Sequence, residues 1–193
     1  MEVILTDEPI AALSEYALVP IRFTVDRVLD VTSQDDGLGG FILSERPVEV
    51  PYEKDYDRIA GEGPLQWSHR FDLSNWAFFS ARFANRIVGG AAVAFETPEV
   101  TMLEGRHDLA VLWDIRVSPD ARRQGVGSAL FQKVEAWAQR RGCRQLKIET
   151  QNTNVRACRF YERQGCHLRA FHRAAYPGFP EEIQLLWYKD LLR

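Results

Sequence analysis

The chain has 193 residues, of which 46% are hydrophobic and 26% are charged. This length and composition predict one globular domain, residues 1–193, with a substantial core. No apolar run approaches the roughly 20 residues that a membrane-spanning helix needs, and the N-terminus lacks the basic start of a signal peptide. We therefore expect a soluble, cytoplasmic protein. Three cysteines without a paired Cys-x-x-Cys spacing argue against a disulfide framework and a structural zinc site, so no metal is expected.

The net charge of −3 conceals an asymmetry between the two halves of the chain. Residues 1–109 carry 9 Lys and Arg against 19 Asp and Glu, whereas residues 110–193 carry 15 against 8. A basic half suits a polyanionic ligand, and an acidic half concentrates a cationic one. The alternative is that both charge runs are solvated surface.

In chain order, residues 1–17 predict a short strand followed by a helical turn. The alternation of apolar and polar residues over 19–31 predicts a long, half-buried strand. Residues 41–43 are typical of another short strand. Residues 47–57 predict a surface loop, because two prolines and alternating charges are incompatible with a central strand.

Within this loop, Tyr52 and Tyr56 lie among carboxylates, Asp55 included. Aromatic ring faces and negative charge together attract a cationic group. The loop is therefore a candidate substrate-binding segment. The alternative is that the two tyrosines only cover the edge of the core.

Residues 76–83 and 87–95 predict the two strands of a hairpin with a turn at 85–86, and residues 109–117 predict a further strand. The glycines of the hairpin indicate that a neighbouring segment approaches closely. The further strand contains one carboxylate, Asp114, in an otherwise apolar run. Because a buried carboxylate is costly unless it is paired or hydrogen-bonded, Asp114 is either a partner of an arginine or a functional group.

A turn with the sequence Arg-Arg-Gln-Gly-Val-Gly, residues 122–127, follows this strand and precedes a helical run to about residue 141. Glycines let the backbone come close to a ligand, and a helix start presents N–H groups and the positive end of its dipole. The turn therefore predicts an anion site, and a pyrophosphate fits it best. It is neither a Gly-x-Gly-x-x-Gly sequence nor a Walker A sequence.

The remaining elements alternate between strand and helix. Residues 144–150 predict a strand parallel to residues 109–117, because a helix connects the two. A second helix is expected from about residue 154 to 164, where a glycine ends it. Residues 166–173 and 182–188 predict a closing antiparallel pair.

Two segments together resemble the signature segments of the GNAT N-acetyltransferases. The first is Arg-x-x-Gly-x-Gly at residues 122–127, and the second is the helical segment at residues 154–165. The chain further resembles the streptothricin acetyltransferase group in three segments, residues 51–56, 149–158 and 186–188. The resemblance spans residues 18–189, and Cys166 stands where the ordinary GNAT pattern often has Phe.

This resemblance implies an α/β (α+β) GNAT fold, in which a central mixed, mostly antiparallel, twisted sheet contains one parallel, splayed strand pair and is flanked by helices. It also implies acetyl-CoA as the donor co-substrate and a small-molecule amine as the acceptor. The residues implied to bind the cofactor are Ile115, Arg116, Val117, Arg122, Arg123, Gln124, Gly125, Val126, Gly127, Ser128, Asn154, Ala157, Phe160 and Tyr161. The backbone of the first three would hold the pantetheine, and the turn would hold the pyrophosphate.

The resemblance implies direct attack of a neutral amine on the acetyl thioester in a ternary complex. Asp114 and Glu149 are catalytic candidates that would accept the amine proton, or they would bind a second ammonium group. Tyr161 matches the family's usual general acid for the leaving thiolate, and core packing is its alternative role. The substrate-binding candidates are Tyr52, Asp55, Tyr56, Asp114 and Glu149.

The expected function is acetylation of a primary amine, that of the β-lysine group of streptothricin or of a similar cationic small molecule. Two alternatives stay open. One is a protein N-terminal or lysine acetyltransferase, which shares both cofactor signatures, and the other is a non-catalytic acyl-CoA-binding sensor. No nucleic-acid or membrane partner is expected, and the oligomeric state, a homodimer included, is left open.

Overall fold

The structure is a computed structural model that describes residues 2–191. Its strands are β1 (Ile4–Glu8), β2 (Phe23–Ser33), β3 (Phe41–Lys54), β4 (Ala77–Phe83), β5 (Arg86–Ala94), β6 (Leu109–Val117), β7 (Gln145–Gln151), β8 (His167–His172) and β9 (Gln184–Asp190). Its α-helices are α1 (Leu13–Tyr16), α2 (Trp67–Arg70), α3 (Val126–Arg140) and α4 (Val155–Arg163). Among the described residues, no helix combines the length and the apolar character needed to span a membrane.

The larger sheet of the described chain has the strand order β1-β4-β5-β6-β7-β9-β8, and β2 and β3 form a separate two-stranded sheet. The pairs from β1 to β6 are antiparallel. In contrast, β6 pairs with β7 in parallel, through residues 109–112 and 145–148. The predicted mixed, mostly antiparallel sheet with one parallel pair is therefore confirmed, and the splaying of that pair stays a prediction.

The described chain divides into two compact units. The first unit contains residues 2–21, 55–148 and 188–191, and the second contains residues 22–54 and 149–187. Two of the four boundaries fall inside strands, one in β7 and one in β9. The single domain expected from the sequence stays a prediction.

In the first unit, α3 packs against β4, β5 and β6. Val126, Leu130, Val134 and Trp137 recur at spacings of three and four and form a buried stripe, with Leu130 and Val134 fully inaccessible to solvent. A second apolar cluster gathers residues of α1, α2 and β4 around Trp67 and Trp76. This cluster holds Tyr16, the last residue of α1, in place beside β5 and β6.

In the second unit, the prediction of a loop over 47–57 is wrong for residues 47–54, because β3 continues through both prolines to Lys54. The pairing of β2 with β3 shifts between Val25, opposite Tyr52, and Arg27, opposite Pro47. A two-stranded sheet has an open edge on each strand, where a proline removes no ladder hydrogen bond. The strand β2 also begins later than predicted, at Phe23, which follows Pro20 by three residues.

Candidate active site

The predicted anion site is a turn between β6 and α3 in the first unit. Arg123 has a φ of 62°, and Gly125, the N-cap residue of α3, has a φ of 83°. Gly125 supplies no side-chain cap, and a Cβ placed on it would have no other part of the described chain within 4 Å. The first turn of this 15-residue helix presents N–H groups and the positive end of the helix dipole at this end of the helix. The turn therefore fits an anion such as a pyrophosphate.

Two side chains of the turn hydrogen-bond the backbone that precedes it. Arg122 Nε donates to the carbonyl oxygen of Val117 at 2.9 Å, and Gln124 Nε2 donates to the carbonyl oxygen of Asp120 at 2.8 Å. Arg123 lies exposed on the surface. The turn is thus tied to the end of β6, and the expected contacts of Arg122 and Arg123 with phosphate stay predictions.

The last three residues of β6, whose backbone is predicted to bind pantetheine, are paired with residues 89–91 of β5. Ile115 and Val117 are half-buried there, and Arg116 is buried. A Cβ on Gly90 would lie 2.5 Å from the ring of Tyr16. The close approach predicted from the glycines of β5 is therefore confirmed, and the segment that approaches is α1.

Asp114 is bound on both carboxylate oxygens by neighbours in the first unit. Arg116 donates to it twice, at 2.6 and 3.0 Å, and the Tyr16 hydroxyl donates at 2.5 Å. The Arg116 side chain is only 1% exposed and also donates to Asp57 at 2.9 Å and to the carbonyl oxygen of Val19 at 3.1 Å. A buried cation thus compensates the charge of Asp114, which favours the structural role that the sequence left open.

The same contacts set the protonation of Tyr16 and Arg116. Burial and the charge of Asp114 raise the pKa of Tyr16 well above its ordinary value. Burial alone would lower the pKa of the Arg116 guanidinium, but the charge of Asp114 raises it above its ordinary value. Tyr16 is therefore a neutral donor and Arg116 a cation at neutral pH. The sequence did not predict Tyr16 as a partner of Asp114. The glycines of β5, which indicate the close approach of another segment, were the one signal for it.

The predicted substrate-binding segment is divided between the two units. Tyr52 lies in β3 in the second unit, and its side chain is exposed. Asp55 and Tyr56 lie in the first unit, where the Asp55 carboxylate caps a short 3₁₀ turn by accepting the backbone N–H of Asp57 at 3.1 Å. Because Asp57 also binds Arg116, this turn is linked to the network around Asp114.

Four predicted cofactor residues lie on or next to α4, in the second unit. The side chain of Asn154 caps the helix by accepting the backbone N–H of Ala157 at 3.1 Å. Tyr161 is buried, and its ring meets that of Phe160 edge to face with centroids 5.2 Å apart. The helix predicted over 154–164 is confirmed, and the role of Tyr161 as an acid stays a prediction.

Glu149 lies half-buried in β7, and its carboxylate is held by neutral groups of the second unit. The Tyr176 hydroxyl donates to Oε1 at 2.6 Å, and Gln184 Nε2 donates to Oε2 at 2.7 Å. Gln151 Nε2 donates to the Tyr176 hydroxyl at 2.9 Å and lies 3.5 Å from Oε1 of Glu149. Across the described residues, the hydrogen-bond donors to Glu149 bring no positive charge.

The segment between β7 and α4 is fixed by Asn152. Its side chain donates to the carbonyl oxygen of Leu29 at 3.0 Å and accepts the backbone N–H of Ile183 at 2.8 Å. The next residue, Thr153, has a buried hydroxyl without a hydrogen-bond partner among the described residues. Such a hydroxyl beside Asn154, a predicted cofactor residue, fits the approach of a polar ligand group.

The three cysteines are free and buried. Burial raises the pKa of Cys143 and of Cys158 to about 11, so both are neutral thiols at neutral pH. Neither thiol is therefore suited to act as a nucleophile. Within residues 2–191, no group of three or more His, Cys, Asp or Glu side chains is arranged to hold a metal ion.

Comparison with known proteins identifies similar sequences. The model of the acetyltransferase (GNAT) family matches residues 42–166. Streptothricin acetyltransferase A of Bacillus subtilis (strain 168) is 38% identical over 81 residues, which cover 41% of this chain and 47% of that protein. Streptothricin acetyltransferase of Escherichia coli is 30% identical over 170 residues, which cover 86% of this chain and 84% of that protein.

Solved structures extend the similarity of fold to the whole chain. The crystal structure of nourseothricin acetyltransferase matches with a TM-score of 0.79 and 25% identity, and the match covers 100% of both chains. The crystal structure of a protein from Bacillus anthracis str. Ames, in complex with acetyl coenzyme A, matches with a TM-score of 0.75 and 23% identity over 98% of both chains.

Proposed function

The chain belongs to the GNAT acetyltransferase family, whose co-substrate is acetyl-CoA, and we propose that it acetylates a primary amine of a small cationic molecule. The β-lysine amine of streptothricin is the proposed acceptor. Similarity to streptothricin acetyltransferases supports this choice, because the match to the Escherichia coli protein covers 86% of the chain.

The observation that carries the proposal is the environment of Glu149. Its carboxylate is half-buried and oriented by Tyr176 and Gln184, and neither donor brings a compensating positive charge. An anion whose hydrogen-bond donors are neutral attracts an ammonium group, the more so where water is partly excluded. Glu149 is therefore proposed to receive the amine-bearing end of the acceptor.

Donor binding is assigned to the turn at residues 122–128 and to the backbone of β6 that precedes it. The open N-terminus of α3 supports the assignment of the pyrophosphate, since its first N–H groups and its dipole favour an anion. When bound, acetyl-CoA supplies an acetyl group activated as a thioester.

In the proposed reaction, the amine nitrogen attacks the thioester carbonyl carbon, so that a C–N bond forms and the C–S bond breaks. An alkyl amine whose ammonium form has a pKa near 10.4 is neutral in only about one molecule in a few thousand at pH 7. The ammonium group must therefore lose a proton before it reacts. Glu149 would accept this proton, directly or through water, and Tyr161 would donate its hydroxyl proton to the leaving sulfur. The nitrogen loses a second proton as the amide forms, and this proton would restore the Tyr161 hydroxyl. Asp114 is assigned instead to holding Arg116, and no covalent enzyme intermediate is formed.

The proposal is tested by measuring the release of free CoA from acetyl-CoA with streptothricin, spermidine, lysine and N-terminal peptides as acceptors. We expect turnover with streptothricin, and mass spectrometry should show one added acetyl group on its β-lysine amine. Turnover with peptides but not with streptothricin would contradict the proposal and favour a protein acetyltransferase. If no acceptor reacts while acetyl-CoA raises the melting temperature, the chain is a sensor.

A further inference from the structure

Building on the proposed function, we infer that Tyr176 and Gln184 are positioning residues that fix the Glu149 carboxylate for the acceptor amine. Neither residue is part of α4 or of the turn before α3. Gln184 is the first residue of β9, and Tyr176 lies in the loop between β8 and β9. The inference thus gives this loop a role in the selection of the acceptor.

The first argument is the geometry around the carboxylate. Tyr176 and Gln184 each bind a different oxygen of Glu149, at 2.6 and 2.7 Å. Gln151 Nε2 is a third, longer donor to Oε1, at 3.5 Å. An ionised carboxylate has about four lone-pair sites, so these donors fix its plane and leave a site for a ligand. The donors to Glu149 are all neutral, unlike those to Asp114, which include a buried guanidinium.

The second argument is that Tyr176 is itself held. Gln151 donates to its hydroxyl at 2.9 Å from the strand that carries Glu149. The backbone turns tightly after it, with the N–H of Phe179 donating to the Tyr176 carbonyl oxygen at 2.9 Å and the N–H of Glu182 donating to the Phe179 carbonyl oxygen at 2.9 Å. A hydroxyl so constrained orients its acceptor and costs little entropy when it binds.

The third argument is the anchoring of the whole loop. The buried ammonium of Lys54 pairs with the Glu182 carboxylate and lies 3.7 Å from the centroid of the Phe179 ring. The Asn152 side chain also accepts the backbone N–H of Ile183, next to Gln184. Buried ion pairs and hydrogen bonds of this kind specify one loop conformation. Tyr176 and Gln184 are therefore held in fixed positions beside Glu149.

Tyr176→Phe tests the inference, because it removes the hydroxyl and keeps the ring. With streptothricin as acceptor, we expect the KM for the amine to rise about tenfold, the usual effect of losing a hydrogen bond to a charged group. The KM for acetyl-CoA should stay within error of the wild type, and the melting temperature should fall by only a few degrees, the effect of losing one hydrogen bond. Gln184→Leu should act in the same direction.

The matched control is Tyr188→Phe, which removes a phenol hydroxyl that donates to Glu104 at 2.9 Å in the first unit. We expect this control to leave both KM values unchanged. In a Glu149→Gln background, Tyr176→Phe should have no further effect on the KM for the amine, because the group it positions is already lost.

Two results would overturn the inference while leaving the proposed function intact. One is a wild-type KM for the amine in Tyr176→Phe, and the other is a full additional increase in the Glu149→Gln background. Absence of any wild-type turnover with streptothricin is a different result. It would contradict the proposed function itself and, with it, this role of the loop.

Discussion

Two strand carboxylates of this chain lie in contrasting surroundings. We call the first set of residues the Asp114 cluster, which consists of Asp114, Arg116, Tyr16 and Asp57 of the first unit. We call the second the Glu149 cluster, which consists of Glu149, Tyr176, Gln184 and Gln151 of the second unit. The Asp114 cluster has a guanidinium at its centre, whereas the Glu149 cluster holds its carboxylate by neutral donors.

The difference teaches what each carboxylate can do. Removing one partner of a buried ion pair leaves an uncompensated charge, so Asp114 is costly to change but has little capacity left for a ligand. Glu149 is oriented by dipoles, and it can exchange water for an ammonium group without first breaking an ion pair. The first arrangement stabilises the fold, and the second suits binding and proton transfer.

The largest expected effect tests whether the general acid lies in the second unit, which also contains the Glu149 cluster. In Tyr161→Phe, we expect kcat to fall by about 10² to 10⁴, the usual contribution of a general acid. The Kd for acetyl-CoA, measured by calorimetry, should be unchanged, because the ring of this buried residue is kept. Near-normal turnover in this variant would show that Tyr161 serves only in packing.

The next prediction compares equivalent carboxylate-to-amide changes in the two clusters. Asp114→Asn should lower the free energy of unfolding by about 3 kcal/mol, because the buried guanidinium of Arg116 loses its bidentate anion. Glu149→Gln should change the free energy of unfolding by no more than about 1 kcal/mol, since its hydrogen-bond partners in the described chain are neutral. Urea denaturation of both variants gives the two values. Equal losses would contradict the distinction between the clusters.

The sequence predicted the elements of the site better than the contacts of its side chains. The strand at β6 and the helices α3 and α4 are correct to within one or two residues, because their apolar periodicity and their glycine or asparagine termini are local signals. The turn before α3 was found for the same reason. Asp114 was recognised as needing a partner, but its partner two residues away in β6 was not identified.

The side-chain contacts that the sequence did not predict join segments that are distant along the chain. Tyr176 meets Glu149 across 27 positions of sequence, and Tyr16 meets Asp114 across 98. Neither contact has a periodicity or a motif of its own. The course of β3 was predicted wrongly for a related reason, because the rule against proline in strands applies to central strands, and β3 belongs to a two-stranded sheet.

A smaller effect is expected on the KM for the acceptor when Glu149 is replaced by glutamine. Glu149→Gln should lower kcat, because the proposed proton acceptor is lost. It should also raise the KM for streptothricin about tenfold, because the ammonium group loses a charge-assisted hydrogen bond. The KM for acetyl-CoA should not change. The same measurements on the folded fraction of Asp114→Asn should give a wild-type KM for the amine. A higher amine KM in Asp114→Asn than in Glu149→Gln would reverse the two assignments.

The smallest effect concerns the pH dependence of stability in the Asp114 cluster. Burial and the charge of Asp114 raise the pKa of Tyr16, so folded Tyr16 keeps its proton above pH 10, where an unfolded tyrosine releases it. Unfolding then releases a proton, and the free energy of unfolding falls as the pH rises above about 10, by up to about 1.4 kcal/mol per pH unit from this group.

Tyr16→Phe should remove that part of the pH dependence while lowering stability at pH 7, where Asp114 loses a donor. Cys143 and Cys158, whose pKa values burial raises to about 11, contribute a fall of the same sign in both proteins, and it cancels in the difference. Urea denaturation at pH 9.5 and 10.5 measures that difference. If wild type and variant lose stability in parallel, the Tyr16 hydroxyl titrates as an ordinary phenol. The Asp114 cluster would then not be the closed ionic network that distinguishes it from the Glu149 cluster.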